Sequence, residues 1–276
     1  MKKKISFLLM IITVLVVCTG CITINLGDKS EKETSKVESK NDNIEKEKSD
    51  IKLEDNKEEK EQEKVDNKNN QITIVIDPGH SSTGTPGNEP VSPNSSITKL
   101  KDGLGATGKY SNIEEHKTNM SVALLLKKEL ESKGYNVILT KESVEQSKSN
   151  IERAQVGNKN NADLVVRIHA DACEDSSVKG ASIHVPANNN FTSNFYEISK
   201  SYGSKIINTY AQEVNMKNRG VIERNDLTGF NWSKVPVVLV EMGFLSNKED
   251  DMFVSNDENH PKIAKAIANG IYKCFE

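Results

Sequence analysis

Short apolar stretches rich in β-branched residues recur along the C-terminal two-thirds of the chain, each followed by a polar or glycine-containing segment. Continuous apolar runs of this length are typical of strands that are buried on both faces. The pattern therefore predicts strands at residues 72–76, 135–140, 164–168, 181–185 and 235–240.

Between these runs, apolar positions recur at spacings of three and four, which is the period of a helix with one buried face. Helices are predicted at residues 114–133, 149–160, 193–213 and 259–273, and Ser246 with Glu249 is predicted to form a capping box for another. Strands that alternate with helices favour an α/β fold. We expect a single domain with a twisted, mostly parallel mixed β-sheet flanked by helices.

The N-terminal 21 residues differ from the rest of the chain. A lysine cluster precedes an apolar run, and small residues lead to Cys21, which is the pattern of a secretory signal peptide. The "CTGC" at 18–21 resembles a bacterial lipobox, although Cys18 stands where an aliphatic residue is usual. Residues 1–21 are therefore interpreted as a lipoprotein-type signal peptide with lipidation at Cys21. The alternative is an uncleaved membrane anchor, since about 20 apolar residues span a bilayer.

Residues 22–70 are dominated by Lys, Glu, Asp, Asn and Ser. Such a segment cannot bury enough apolar surface to offset its ordering entropy, so we interpret it as a disordered charged tether. Residues 71–276 are then expected to form the folded domain. The chain is slightly acidic, with a formal charge of −3, which argues against nucleic-acid binding.

Cys173 and Cys274 are expected to be free, mostly buried thiols, with a disulfide between them as the alternative.

Three residues capable of metal binding or acid–base chemistry follow predicted strands: His80, His169 and Glu241. In open α/β sheets, ligands bind beyond the carboxyl ends of the strands. These side chains are therefore candidates for one site. Of the other histidines, His116 lies early in a helix, His184 could face either side of its strand, and His260 is most simply a surface or capping residue.

An acidic partner is expected from the helix at 114–133. Glu115 shares a helical face with Asn119, Val122 and Leu126, so this face points inward, whereas Glu114 lies on a less apolar face. A carboxylate directed inward is costly unless it meets a cation. Glu115 is therefore the better candidate ligand.

Two histidines and one glutamate form a known catalytic zinc set that leaves a fourth position for water. We predict that His80, Glu115 and His169 bind one Zn²⁺, which lowers the pKa of its water from about 16 to near 7. Glu241 would then exchange protons as the general base. Its alternative is a structural salt bridge with Arg153 or Arg224.

Four separated segments, "IVIDPGH", "EHKTNM", "ADLVVRIHADA" and "VPVVLVEMGFLSNKED", resemble the zinc-dependent N-acetylmuramoyl-L-alanine amidases of the amidase_3 type. The resemblance covers essentially all of 71–276. It implies hydrolysis of the amide between N-acetylmuramic acid and L-alanine in peptidoglycan. Matched residue by residue, it assigns the metal ligands to His80, Glu115 and His169 and catalysis to Glu241. A non-catalytic wall-binding lipoprotein and a zinc peptidase acting within stem peptides are the competing hypotheses.

Many members have Ser where this chain has Arg167, a neighbour of the site. The long loop at 81–112 is expected to form one wall of the substrate groove. Asp77 is expected either to shape the turn before His80 or to support His80 as a ligand. The protein is expected to be a monomer that acts on peptidoglycan outside the cytoplasm. Its lipid anchor is expected to hold it on the outer face of the cell membrane. No binding to nucleic acid is expected.

Overall fold

The computed structural model describes residues 72–276. The predicted signal peptide, the predicted tether and Cys21 all lie outside the described residues. Within residues 72–276, no helix has the length and apolar composition needed to cross a bilayer.

The described elements alternate between strands and helices. In chain order they are β1 (Thr73–Pro78), β2 (Thr85–Pro90), β3 (Thr98–Asp102), α1 (Glu115–Ser132), β4 (Asn136–Leu139), α2 (Asn150–Lys159), β5 (Leu164–Asp171), β6 (Ala181–Pro186), α3 (Tyr196–Val214), β7 (Asn218–Arg224), α4 (Thr228–Asn231), β8 (Val237–Phe244), α5 (Lys248–Val254), a 3-10 turn (Asp257–Asn259) and α6 (His260–Tyr272).

The central sheet has six strands in the order β4-β1-β5-β8-β6-β7. Every neighbouring pair is parallel except β8 and β6, which are antiparallel. The predicted fold class, a mostly parallel mixed sheet flanked by helices, is confirmed. Because β1, β5 and β8 are parallel neighbours, their carboxyl ends lie along the same edge of the sheet.

Alternate residues of the central strands face opposite sides. On one side, Val166 and Ile168 of β5 pack in the larger core, which includes buried residues of α1, α3 and α6. On the other side, Val165 and Val237 pack with Phe230 of α4 in a smaller core. Arg167, His169, Leu239 and Glu241 continue the parity of this second side, so they face the side of α2 and α4.

The strands continue beyond the predicted ends. β5 reaches Asp171 and β8 reaches Phe244, so His169 and Glu241 lie inside their strands rather than after them. The register between β5 and β8 shifts just beyond the pair His169 and Glu241. Such an irregularity is typical of strands next to functional sites because it re-aims side chains.

The loop at 81–112 contains the antiparallel hairpin β2–β3, which the sequence analysis missed. Glu89 of β2 accepts hydrogen bonds from the backbone nitrogens of Asn150 (2.9 Å) and Ile151 (3.2 Å) at the start of α2. A carboxylate in this position satisfies helix N–H groups that would otherwise lack partners. The hairpin is thereby attached to the helix beside the site.

Two other local features differ from what the sequence predicts. β7 was missed, because its residues are mostly polar and partly exposed at the edge of the sheet. The predicted capping box at Ser246 does not form. Instead, Asn247 caps α5 by accepting from the backbone nitrogens of Glu249 and Asp250, while Ser246 accepts a hydrogen bond from the Cys173 nitrogen. Asparagine is at least as good a cap as serine, which explains the one-residue shift.

Candidate metal centre and cavity

His80 is presented by the turn after β1. Its backbone φ of +59° lies in the left-handed region, which few residues other than glycine adopt without support from the surrounding structure. The Nδ1 atom lies 2.9 Å from the Gly103 carbonyl at the end of the hairpin. A histidine held by a backbone carbonyl at one ring nitrogen has the other nitrogen free to bind a metal.

Glu115 is the first residue of α1, and it is buried. Its carboxylate lies 3.1 Å from His169 Nδ1 and 3.4 Å from His80 Nε2. It also accepts hydrogen bonds from the Asn119 side chain (3.1 Å) and the Ala106 backbone (2.9 Å). Burial acts to raise the pKa of Glu115, but the His169 hydrogen bond and the two histidine charges outweigh it and lower the pKa to about 2.

The preference for Glu115 over Glu114 agrees with this geometry. Glu114 does not enter the cluster. Its side chain is 42% exposed and pairs with Lys117 one turn along the chain. Of the two adjacent glutamates, Glu115 thus points inward and Glu114 outward, as the helical periodicity predicts.

His169 is buried on β5, and burial is the main cause that lowers its pKa to about 4. The imidazole is therefore neutral at pH 7, which is the form that binds metals. Among the described residues, its Nε2 atom has no hydrogen-bond partner. An orphaned buried nitrogen in a polar cluster is expected at a site that takes a ligand.

The three side chains form a compact cluster. One nitrogen or oxygen atom from each of His80, Glu115 and His169 lies within 4.8 Å of the others. Two glycines make room for it. A Cβ at Gly79 would lie 2.3 Å from the His169 ring, and a Cβ at Gly105 would lie 2.7 Å from the Glu115 carboxylate. The donor set, its spacing and the orphaned nitrogen all fit a single Zn²⁺ ion.

Glu241 lies opposite His169 in the β5–β8 register. Its side chain is buried, and Oε2 lacks a hydrogen-bond partner within 72–276. Burial, followed by the negative charges of Glu115 and Asp171, raises the pKa of Glu241 well above its usual range. The structure contains no ion pair of Glu241 with Arg153 or Arg224 among the residues it describes. A carboxyl group with a raised pKa and an open position is suited to taking up and releasing a proton.

Glu241, His80 and His169 line one cavity of about 230 Å³. Its walls come from β5, β6, β7 and β8 and from the end of the hairpin. The lining residues are His80, Asp102, Gly103, Asn150, Arg153, Arg167, His169, His184, Arg224, Leu227, Leu239 and Glu241. The loop at 81–112 thus contributes Asp102 and Gly103 to the wall. His184, whose orientation the sequence left open, is a lining residue, and burial lowers its pKa to about 4.

Asp77 has neither of the two roles considered from sequence. It is buried within β1 and accepts hydrogen bonds from Arg167 Nε (2.7 Å) and Thr140 Oγ1 (2.6 Å). Arg153 lies 3.6 Å away. Asp77 is therefore the buried counterion of two arginines beneath the cavity. The pairing of Asp77 with Arg167 has no local sequence pattern, because the two residues are 90 positions apart.

His260 was predicted to be a surface or capping residue, and the surface alternative is wrong. It is 1% exposed, with Nδ1 bonded to Ser121 Oγ (2.8 Å) and Nε2 bonded to the Val254 carbonyl (2.9 Å). Both ring nitrogens are satisfied, so this histidine joins α1 to α6 rather than serving the metal centre. Cys173 and Cys274, the two cysteines within residues 72–276, are free, as expected, but Cys173 is exposed and only Cys274 is buried.

The fold and this residue set define an α/β domain with a candidate mononuclear metal site on one face of its sheet. Residues 74–273 match the Amidase_3 family, described as N-acetylmuramoyl-L-alanine amidase. The match covers most of the chain, and this protein belongs to that family.

Three similar proteins are described as amidases. "Probable cell wall amidase LytH" of Staphylococcus aureus is 23% identical over 199 residues, which are 72% of this chain and 57% of that protein. The chain thus spans little more than half the length of LytH. The N-acetylmuramyl-L-alanine amidase Ami1 of Mycobacterium smegmatis aligns over 74% of this chain and 96% of its own, with a TM-score of 0.67 and 22% identity. The CwlD amidase of Clostridioides difficile, solved with the GerS lipoprotein, is 28% identical over 74% of this chain and 98% of its own, with a TM-score of 0.56.

Proposed function

We propose that this chain is a cell-wall hydrolase that cleaves the amide bond between N-acetylmuramic acid and L-alanine in peptidoglycan, with one Zn²⁺ as cofactor. The observation that carries the proposal is the convergence of His80, Glu115 and His169 within 4.8 Å, in a cavity that also contains Glu241. Membership of the Amidase_3 family supplies the substrate class.

In this mechanism, His80, Glu115 and His169 would hold the ion. A bound Zn²⁺ supplies Lewis acidity at the scissile carbonyl and a water that is acidified toward neutral pH. Glu241 takes the proton of the attacking water and returns it to the departing alanine nitrogen. Its buried position makes the ionised carboxylate a stronger base than an exposed glutamate, because burial raises its pKa.

Asn119 and Gly103 keep the ligands in place. The Asn119 side chain donates to Glu115 Oε1 (3.1 Å) and to the Gly79 carbonyl (3.3 Å), so it connects the helix ligand to the turn that presents His80. The Gly103 carbonyl fixes the ring of His80. Ligands that are oriented before the metal arrives lose less entropy on binding it.

The test is to incubate purified peptidoglycan with the protein and measure released N-terminal L-alanine, together with bound zinc by elemental analysis. Glu241→Gln should lose activity by about 10²–10⁴-fold and retain zinc, whereas His80→Ala and Glu115→Gln should lose both. Glu114→Gln is the matched control, since its exposed side chain lies outside the cluster. Full activity in Glu241→Gln would refute the assignment.

The products also separate the competing hypotheses. Mass spectrometry of an amidase digest shows intact stem peptides and peptide-free glycan strands. A peptidase would leave L-alanine on the sugar and shorten the peptides. A non-catalytic wall-binding protein would release nothing while still co-sedimenting with peptidoglycan.

We further propose that the enzyme acts outside the cytoplasmic membrane as a lipoprotein that is acylated at Cys21, with residues 22–70 as a tether. The support is the sequence at 1–21, whose basic, apolar and small-residue segments follow the order of a secretory signal. Cells expressing the wild type should incorporate labelled palmitate into the protein, and Cys21→Ala should abolish the label. A retained label would place the acyl group elsewhere.

A further inference from the structure

The cavity beside the candidate metal centre is lined by charged side chains of both signs. Three arginines line it, namely Arg153, Arg167 and Arg224, and the carboxylates in its wall are Asp102 and Glu241. The question is which of these arginines is available to a ligand.

Arg153 and Arg167 are already matched by buried carboxylates. Arg153 lies 3.1 Å from Asp102, and Arg167 lies 2.7 Å from Asp77, with all four side chains 5% exposed or less. Both guanidinium groups also contact Asn150 Oδ1, at 3.0 Å and 2.8 Å. These two arginines therefore form a neutral structural layer on the floor of the cavity.

Arg224 is different. It is the last residue of β7, and its side chain is 35% exposed. Its Nε and Nη2 atoms donate to the two oxygens of Asp226 at 2.8 Å and 3.0 Å. Lys99 of the hairpin binds the same carboxylate at 2.7 Å. Two cations thus share one anion, so these three side chains together have a net charge of about +1.

The position of Arg224 relative to the reacting groups is also defined. Arg224 and the proposed general base Glu241 line the same cavity. It lies on the β6–β7 side of the cavity, whereas the cluster of His80, Glu115 and His169 lies at β1, β5 and the start of α1. A substrate that spans the cavity from the metal centre would meet Arg224 at its far end.

We infer that Arg224, oriented by Asp226 and Lys99, is a specificity-determining residue that binds a carboxylate of the stem peptide beyond its L-alanine. This inference rests on the proposed function. The lactyl carboxyl of the sugar is consumed in the scissile amide, so a free carboxylate of this substrate lies on the peptide side. The Asp226 pair leaves Arg224 Nη1 uncommitted to that carboxylate, and arginine binds carboxylates more strongly than it binds neutral amides.

The experiment measures binding by titration calorimetry, with Zn²⁺-loaded Glu241→Gln chain so that the ligand stays intact. The two ligands are N-acetylmuramoyl-L-alanyl-D-glutamate with its γ-carboxyl capped as an amide, and the same compound with its α-carboxyl also converted to an amide. The acid is expected to bind about tenfold or more tightly than the amide, because a charge-assisted hydrogen bond is replaced by a neutral one. Adding Arg224→Gln should reduce the ratio to near one, and Arg224→Lys should restore part of it.

Arg219→Gln in the same background is the matched control. Arg219 lies on the same strand but packs over the Phe244 ring outside the cavity lining, so its loss should leave the ratio unchanged. Equal binding of the two peptides, no binding of either, or an equal loss of affinity for both in Arg224→Gln would overturn the inference. Failure of the wild type to hydrolyse either peptide would instead count against the proposed function, since the binding ratio does not require turnover.

Discussion

The buried ion pair of Asp77 and Arg167 gives the most direct test of how this site is supported. The Arg167 Nε to Asp77 Oδ2 distance is 2.7 Å, and both side chains are 5% exposed or less. Asp77→Asn removes the charge at constant shape and leaves Arg167 without a carboxylate. Breaking one partner of a buried pair costs about 3–5 kcal/mol, because the remaining charge is desolvated and unpaired.

Replacing both residues gives a different outcome. In Asp77→Asn with Arg167→Met, no unpaired charge remains at this position, since Arg153 still has Asp102 at 3.1 Å. A buried pair replaced as a unit is often close to neutral in stability. We therefore expect the double variant to be at least about 2 kcal/mol more stable than the sum of the two single changes implies.

Urea denaturation of the four proteins, at the same zinc concentration, measures this. With a slope of about 2 kcal/mol/M for a domain of this size, the Asp77→Asn midpoint should fall by about 1.5–2.5 M. Zinc must be held constant, because a ligand that binds the folded state shifts its apparent stability. Additive single effects in the double variant, or an unchanged midpoint in Asp77→Asn, would show that the pair is not an energetic unit.

Four further outcomes are expected. Burial acts to raise the pKa of Asp77, but the contacts with Arg153 and Arg167 outweigh it and hold the pKa below its usual range. The ionised form therefore contributes stability above the unfolded pKa of about 3.9, and this stability is lost as the pH falls. The stability of the wild type should fall more steeply below a pH of about 4 than that of Asp77→Asn, and parallel curves would contradict this. Asn119→Leu should weaken zinc binding by about 10–100-fold without preventing folding. Chelator competition measures the zinc affinity and circular dichroism measures the folding. A zinc affinity of the variant equal to that of the wild type would contradict this prediction. Glu89→Gln should lower the melting temperature through its loss at the α2 N-terminus, worth about 1 kcal/mol, whereas Glu145→Gln, at a solvent-exposed site, should not. Exposed Cys173 should react quickly with a thiol reagent. Cys274 should react only on unfolding, because it is buried and its burial raises the pKa of the thiol to about 12. Equal reaction rates of the two cysteines would contradict the difference in burial.

The sequence by itself determined the order and type of most elements and the identity of the cluster. Apolar runs and helical spacing are local properties, so they identified five of the sheet strands and the four longer helices. Position beside a strand end selected His80 and His169. The face of one helix selected Glu115 rather than Glu114, because periodicity reports which side of an element is buried.

Only the tertiary structure decided the contacts that join distant segments. The partners of Asp77, the attachment of the hairpin to α2 through Glu89, the burial of His260 and the arrangement of Arg224 with Asp226 and Lys99 all depend on which strands are neighbours. No local pattern encodes such neighbours, because a polar residue that pairs with another many positions away has the same sequence signature as one exposed to water. The three residues of the cluster could be selected from sequence because each is marked by its own element. The charges around them acquire their roles only from one another.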